Sequence, residues 1–314
     1  MHPWTPANLP HSPEKTFVVT GGNAGIGFFI AEQLLDTGAE VILACRSEER
    51  AAAAITTLSA HKPHGRLGFI RLDLADPASI TAAAADIRAL PRVDGLILNG
   101  GAKIVDTRAE TRAGEELVFG TNQLGNFALI ARVLDALERR PGARIITMGS
   151  LGYLVARLDP RDVDHRAGSY AGLATYTASK YAQMLTAREL DRRLRAAGMG
   201  TRSLIAQPGV ALDELGPRRE PAPPYRPWAP LRARTARLLF QGKDAGAWPA
   251  VRATLDPAAQ GGSLWGPRFL ASRGAPVRAR LPRRLRAENL AARIWSLSEE
   301  RTGLSLLPEF APRD

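Results

Sequence analysis

Thr16-Phe17-Val18-Val19-Thr20-Gly21-Gly22-Asn23-Ala24-Gly25-Ile26-Gly27 decides how this chain folds. The first five residues form a compact β-branched and aromatic run, the composition of a buried strand. Glycines follow, and then Ile26, Phe29, Ile30, Leu34 and Leu35 recur at helical spacing until Gly38. Glycines at such a turn let the backbone approach an anion closely. The helix start adds unpaired N–H groups and the positive end of its dipole. Glycine-rich turns are common, but a strand before this one and a helix after it are the context of a dinucleotide pyrophosphate site. Gly21, Asn23, Ala24, Gly25, Ile26 and Gly27 are the expected contacts.

Outward from this loop the pattern repeats. Short apolar runs at Val41-Ile42-Leu43-Ala44, 67–72, 95–98, 143–148 and 201–206 alternate with helical periodicity near 47–60, 76–90, 113–139 and 173–197. Near-continuous apolar strands separated by helices mean a parallel sheet buried on both faces. Right-handed crossovers then give a doubly wound, Rossmann-type α/β sheet of about seven strands in a single domain. We expect a flexible arm over 1–14, the domain over 15–305 and a tail over 306–314. The Pro/Arg-rich stretch 217–230 reads as an inserted loop, within a substrate loop at about 211–245.

The end of the second strand bears on the cofactor. An acidic residue there would hold both ribose hydroxyls of NAD, whereas an arginine suits a 2′-phosphate. The strand ends Ala44-Cys45-Arg46-Ser47, with no carboxylate before Glu48. Arg46 can meet a phosphate with paired donors and Ser47 can add a hydroxyl, so NADP(H) is expected over NAD(H).

Tyr176-Thr177-Ala178-Ser179-Lys180 places a phenol and an ammonium one helical turn apart. A neighbouring ammonium lowers a phenol's pKa and makes it a usable acid or base. Such pairs are frequent on helix surfaces. Ser150 strengthens this one, because it follows the apolar run Arg144-Ile145-Ile146-Thr147-Met148-Gly149 at the carboxyl edge of the sheet, where open α/β sheets bind ligands.

With these residues in order, the chain resembles the short-chain dehydrogenase/reductase family. It is most similar to the branch of retinol dehydrogenases and their bacterial relatives. The features that carry the resemblance are the glycine loop, Asn99, Ser150, Tyr176 with Lys180, and Pro208-Gly209. The segments Ala44-Cys45-Arg46, Phe119-Gly120-Thr121-Asn122-Gln123-Leu124-Gly125-Asn126-Phe127 and Leu290-Ala291-Ala292-Arg293-Ile294-Trp295-Ser296-Leu297-Ser298 point to that branch. The resemblance spans roughly residues 15 to 305. It implies that Tyr176 is the general acid/base and that Ser150 positions and polarises the substrate oxygen. Lys180 would bind the nicotinamide ribose, and Asn122 would hold a water linking Lys180 to solvent. Asp73 and Leu74 resemble the adenine contacts, Asn99, Gly100 and Gly101 line the cofactor, and Pro208, Gly209 and Val210 border the nicotinamide.

Two departures stand out. The segment Leu98-Asn99-Gly100-Gly101 has lost an asparagine, and Asp213 puts a carboxylate near the pyrophosphate where relatives have Thr or Ser. Unless a basic neighbour compensates, Asp213 weakens cofactor binding or points elsewhere. Tyr153, Tyr170, Leu212 and the segment from there to Phe240 fall where a substrate wall is expected, beside Ser150. Trp228, Trp248 and Trp265 read as core or loop packing.

Composition bounds the partners. The formal charge of +11 is concentrated between Leu215 and Arg286, where 15 Lys and Arg face 3 Asp and Glu. The arginines there are broken up by Pro and Gly and form no groove-reading helix. A solvated basic surface is expected, with weak contact to an anionic surface as the other reading and no nucleic acid. One cysteine, Cys45, excludes a disulfide framework, and His61, His64 and His165 lack ligand spacing, so no metal is expected. No apolar run is long enough to span a bilayer and the N-terminus lacks signal-peptide character, so a cytoplasmic location is the default. The expected function is hydride transfer between NADP(H) and a carbonyl or secondary alcohol of a fairly apolar small molecule, by a ketoreductase or alcohol dehydrogenase. The other reading is a cofactor-sensing, catalytically weak binding protein on the same fold. A homodimer through the helices at 113–139 and 173–197 is a further expectation.

Overall fold

In the computed structural model, which describes residues 4–61, 64–217, 219 and 235–307, the glycine loop sits where the sequence puts it. β1 (Thr16–Thr20) runs into α1 (Gly25–Leu35), followed by β2 (Glu40–Cys45), α2 (Glu48–Ala60), β3 (Arg66–Arg71), α3 (Pro77–Ala89) and β4 (Gly95–Leu98). Next come α4 (Leu117–Phe119), a π-helical stretch at Gly120–Gly125, and α5 (Asn126–Glu138). β5 (Arg144–Met148), α6 (Gly172–Ala196) and β6 (Arg202–Ala206) complete the double winding. The chain ends in β7 (Ala211–Leu212), β8 (Gln241–Gly242), α7 (Lys243–Leu255), β9 (Leu264–Phe269), β10 (Arg273–Ala279) and α8 (Glu288–Thr302).

The main sheet has the order β10-β9-β6-β5-β4-β1-β2-β3. Successive β1 residues alternate between its faces, as a pleated strand requires. Phe17 and Val19 join α1 and α7 in one core, while Val18 joins α3, α5 and α6 in the other. Two features differ from expectation. The sheet has eight strands, and its edge strand β10 returns antiparallel to β9. Pro267 and Pro276 lie opposite each other in that hairpin. Proline at a strand position removes a ladder donor and hides the strand from a propensity reading. The second difference is at the N-terminus. The arm expected to be loose is seated from Trp4 onward, with Trp4 edge-on to Trp248 at 6.3 Å and the Ser12 amide donating to Thr37 O. Trp265 is a core residue, its indole N–H bonded to Ser263 Oγ at 2.9 Å. Trp228 and most of the 217–230 stretch lie outside the described residues. Among the described residues, no helix is long and apolar enough to cross a membrane.

Candidate active site

The loops after β1, β2, β4, β5 and β6 leave the same edge of the sheet and enclose a cleft of about 800 Å³, within the size range of small-molecule sites. Gly21, Asn23, Ala24, Gly25 and Ile26 line it. Gly27 does not. A Cβ there would stand 2.3 Å from Gly21 O, so its role is to let α1 pack against the loop it follows. Ser47 and Asp76 cap α2 and α3, but α1 has no capping side chain and no acidic residue in its first turn. Its N–H groups and dipole therefore face the cleft unneutralised, which suits a pyrophosphate.

Arg46 and Ser47 line the cleft at the end of β2, joined by Arg50 one helical turn on. Among the described residues, Arg46 makes no ion pair. Ser47 Oγ accepts from the Arg50 amide at 3.2 Å, so its lone pair caps α2 while its hydroxyl proton remains available to donate. Asp73 and Leu74 form the adjoining wall. Asn99, Gly100 and Gly101 close the opposite side. Asn99 Nδ2 donates to Thr20 O at 3.0 Å and Gly21 O at 3.3 Å, bracing the glycine loop.

At the other end of the cleft, Tyr176 and Lys180 emerge from α6. The Ser150 hydroxyl, at the end of β5, lies beside the Tyr176 phenol and favours its ionised form. The expected lowering of the phenol's pKa is not what this geometry gives. Burial pushes Tyr176 up, and the neighbouring Ser150 hydroxyl only partly offsets it. Lys180 is itself buried and pushed down to about 8 by desolvation. Its ammonium donates to Met148 O at 3.2 Å and Gln183 Oε1 at 3.0 Å. Desolvation disfavours the charged form of each, and it sets the direction of both shifts.

Asn122 is buried in the π-helical stretch and its side chain makes no hydrogen bond with Lys180. Its Oδ1 accepts from the Ala102 amide at 2.7 Å, and its Nδ2 donates to Ala102 O and to Ser179 Oγ. Asn122 therefore ties the loop after β4 to α6. Gly101 has to be a glycine for the same reason, since a Cβ would lie 2.4 Å from Asn122 Oδ1.

Several expected contacts are moved by the extra hairpin. Pro208 lines the cleft, but the Gly209 amide donates to Gln207 Oε1 at 2.7 Å and the Val210 amide to Ser272 O at 3.1 Å. Both amides are committed within the chain rather than free for a nicotinamide. The proposed substrate wall is also corrected. Tyr153 is buried in a core cluster with Tyr181, and Tyr170 donates to buried Glu116 at 3.0 Å. Leu212 sits half-buried in β7 and does not line the cleft. Sequence reasoning missed Lys243. It lines the cleft and pairs with Asp213 at 2.6 Å, supplying the basic neighbour that carboxylate needed.

Sheet order, glycine loop and the Ser150–Tyr176–Lys180 set are those of a Rossmann-type oxidoreductase that uses a nicotinamide cofactor. The chain belongs to the short-chain dehydrogenase/reductase family: the family model described as short chain dehydrogenase matches residues 15–215. It falls in the retinol dehydrogenase-like branch. It is 35% identical over 265 residues to mouse polyprenol dehydrogenase, covering 82% of this chain and 76% of that one. It is 38% identical over 205 residues to human retinol dehydrogenase 13, covering 65% of this chain and 61% of that protein. The chain thus spans less than two thirds of the retinol dehydrogenase. Among solved structures, an uncharacterized protein from Mycobacterium paratuberculosis superposes with a TM-score of 0.78 at 31% identity, covering 97% of this chain and 99% of that one.

Proposed function

We propose that this chain is an NADP(H)-dependent oxidoreductase acting on the carbonyl or secondary alcohol of a fairly apolar small molecule. The observation that supports it most is the shared cleft: Tyr176 beside Ser150 and Lys180 at one end, and at the other a helix start with no side-chain cap and an Arg46 that makes no ion pair among the described residues. Gly21 to Ile26 and the start of α1 would hold the pyrophosphate, and Arg46 the 2′-phosphate. When bound, the nicotinamide supplies or accepts the hydride. The raised phenol stays protonated at neutral pH, so Tyr176 is ready to give its proton to a carbonyl oxygen. Ser150 holds that oxygen and the phenol in line. The Lys180 ammonium favours the anion left on Tyr176. In the oxidising direction the same groups take the proton back. Relatives named for polyprenol and retinol, both apolar primary alcohols, support the apolar character of the substrate and an alcohol–carbonyl couple.

Two variants test this reading. Tyr176→Phe should lower turnover of an apolar ketone by roughly 100-fold or more, with NADPH binding retained. Arg46→Ala should weaken NADPH binding by more than about 1 kcal/mol and leave NADH little changed. Equal losses for both cofactors would remove the phosphate role of Arg46. Full activity in Tyr176→Phe would remove the catalytic assignment.

A further inference from the structure

Lys243 belongs to no motif, yet it stands at the phosphate loop. It opens α7, and the parallel pair β7–β8 brings it there from thirty residues beyond Asp213. Its Nζ lies 3.8 Å from where a Cβ on Gly25 would be. Gln33, in the last turn of α1, donates to Asp244 O at 3.0 Å, which ties α1 to the start of α7. The ammonium is paired with Asp213, whose side chain is 57% exposed while that of Lys243 is 21% exposed.

We propose that Lys243 is a ligand of the cofactor pyrophosphate, and that Asp213 is the counter-charge that holds the lysine in place and gives it up when the phosphates arrive. The inference rests on the dinucleotide reading of the cleft but not on the choice between the two cofactors. Three observations carry it. The start of α1 has neither cap nor acidic residue, so its positive end is reserved for an outside anion. Lys243 and Asp213 both line the cleft that meets this helix start. A lysine on a flexible four-carbon stem can turn between two anions a few ångströms apart, as a planar guanidinium cannot. Of the two anions competing for it, exposed Asp213 regains water easily, whereas a diphosphate seated in the cleft does not. The carboxylate at an anion site is then a holder for the cation rather than an obstacle.

The test is fluorescence titration of NADPH and NADH into the full chain and its variants at low and moderate salt. Lys243→Met should weaken both cofactors alike, roughly tenfold or more, in contrast to the NADPH-selective loss expected of Arg46→Ala. Lys243→Arg should retain part of the affinity, which separates a lost charge from a lost fold. Asp213→Asn should tighten both cofactors, most clearly at low salt. Wild-type affinity in Lys243→Met would overturn the proposal, as would Asp213→Asn loosening both cofactors as much as Lys243→Met does. Failure of the unaltered chain to bind either cofactor would take down the dinucleotide reading and this inference together.

Discussion

At the scale of single residues, Lys180 is the most consequential side chain in the cleft, and its cost can be measured. Burial pushes its pKa from 10.5 to about 8, so at neutral pH the folded chain still carries the charge, against the cost of desolvating it. That difference corresponds to something on the order of 3 kcal/mol. The sign follows from proton counting. Between about 8 and 10.5 the unfolded chain still holds a proton that the folded chain has released, so stability rises with pH through that window. Below 8 both states hold the proton and the full penalty applies. Replacement by methionine removes the titration, while leaving Met148 O and Gln183 Oε1 without their donor. We therefore expect wild type to gain about 1 kcal/mol on Lys180→Met between pH 7 and pH 9, read from urea midpoints without cofactor. Parallel stability profiles for the two proteins would show that Lys180 does not titrate in this range. Tyr176 adds the complementary point: its phenol is raised by the same burial, so the site keeps an acid protonated where a proton must be given.

At the scale of elements, what could be read from sequence was what is local. The β1–glycine–α1 unit, the Arg46 end of β2 and the Tyr176/Lys180 turn are each one short continuous stretch, and periodicity or spacing exposes them. Contacts set by distant pairing were not legible. Lys243 reaches Gly25 only because two-residue strands β7 and β8 pair, and strands that short show no period. The β9–β10 hairpin was hidden by Pro267 and Pro276, and with it the capture of the Val210 amide by Ser272 O, while the Gly209 amide is taken by nearby Gln207. Tyr153 and Tyr170 failed as substrate candidates because sequence position gives proximity but not direction: one side chain turns into the core, the other to Glu116. The late helix, by contrast, was legible through the resemblance, and α8 is held by a specific anchor. Trp295 is fully buried, stands edge-on to Phe127 at 5.2 Å, and is covered by the Arg193 guanidinium at 4.5 Å. Gln123 Nε2 adds a bond to Ser298 Oγ at 2.9 Å. Trp295→Ala should cost about 3–5 kcal/mol, seen as a lower urea midpoint with an unchanged slope. A loss under about 1 kcal/mol would mean that α8 contributes little to the cooperative unit.

At the scale of the whole molecule, two features suggested partners, and the structure uses part of each internally. Arginines of the basic C-terminal region stack on the chain's own rings: Arg252 over Trp265, Arg273 over Phe269 and Arg284 over Tyr181. Arg252 also pairs with Asp256. Guanidinium stacking of this kind stabilises a surface without requiring an anionic partner. The expected homodimer meets a similar difficulty. It would join copies through α5 and α6, and a stable interface needs an apolar centre on those faces. Yet 16 of the 25 residues of α6 are already buried within one chain. Trp295 of α8 packs on Phe127 of α5, and Arg193 of α6 closes over it, so one helix of this chain occupies the ground a partner would use. Among the described residues, no large hydrophobic of α5 is exposed, and on α6 only Leu173 in the first turn is. With the apolar surface of α6 taken up largely by α8 and that of α5 by α3 and the core, a second copy would have mainly polar side chains to bury, at a net cost. We expect sedimentation at micromolar concentration to give a monomer of 33.8 kDa, unchanged over a tenfold dilution. A dimer that persists on dilution would require an interface elsewhere on the molecule, and one abolished by changes confined to α5 or α6 would show that α8 leaves those faces open.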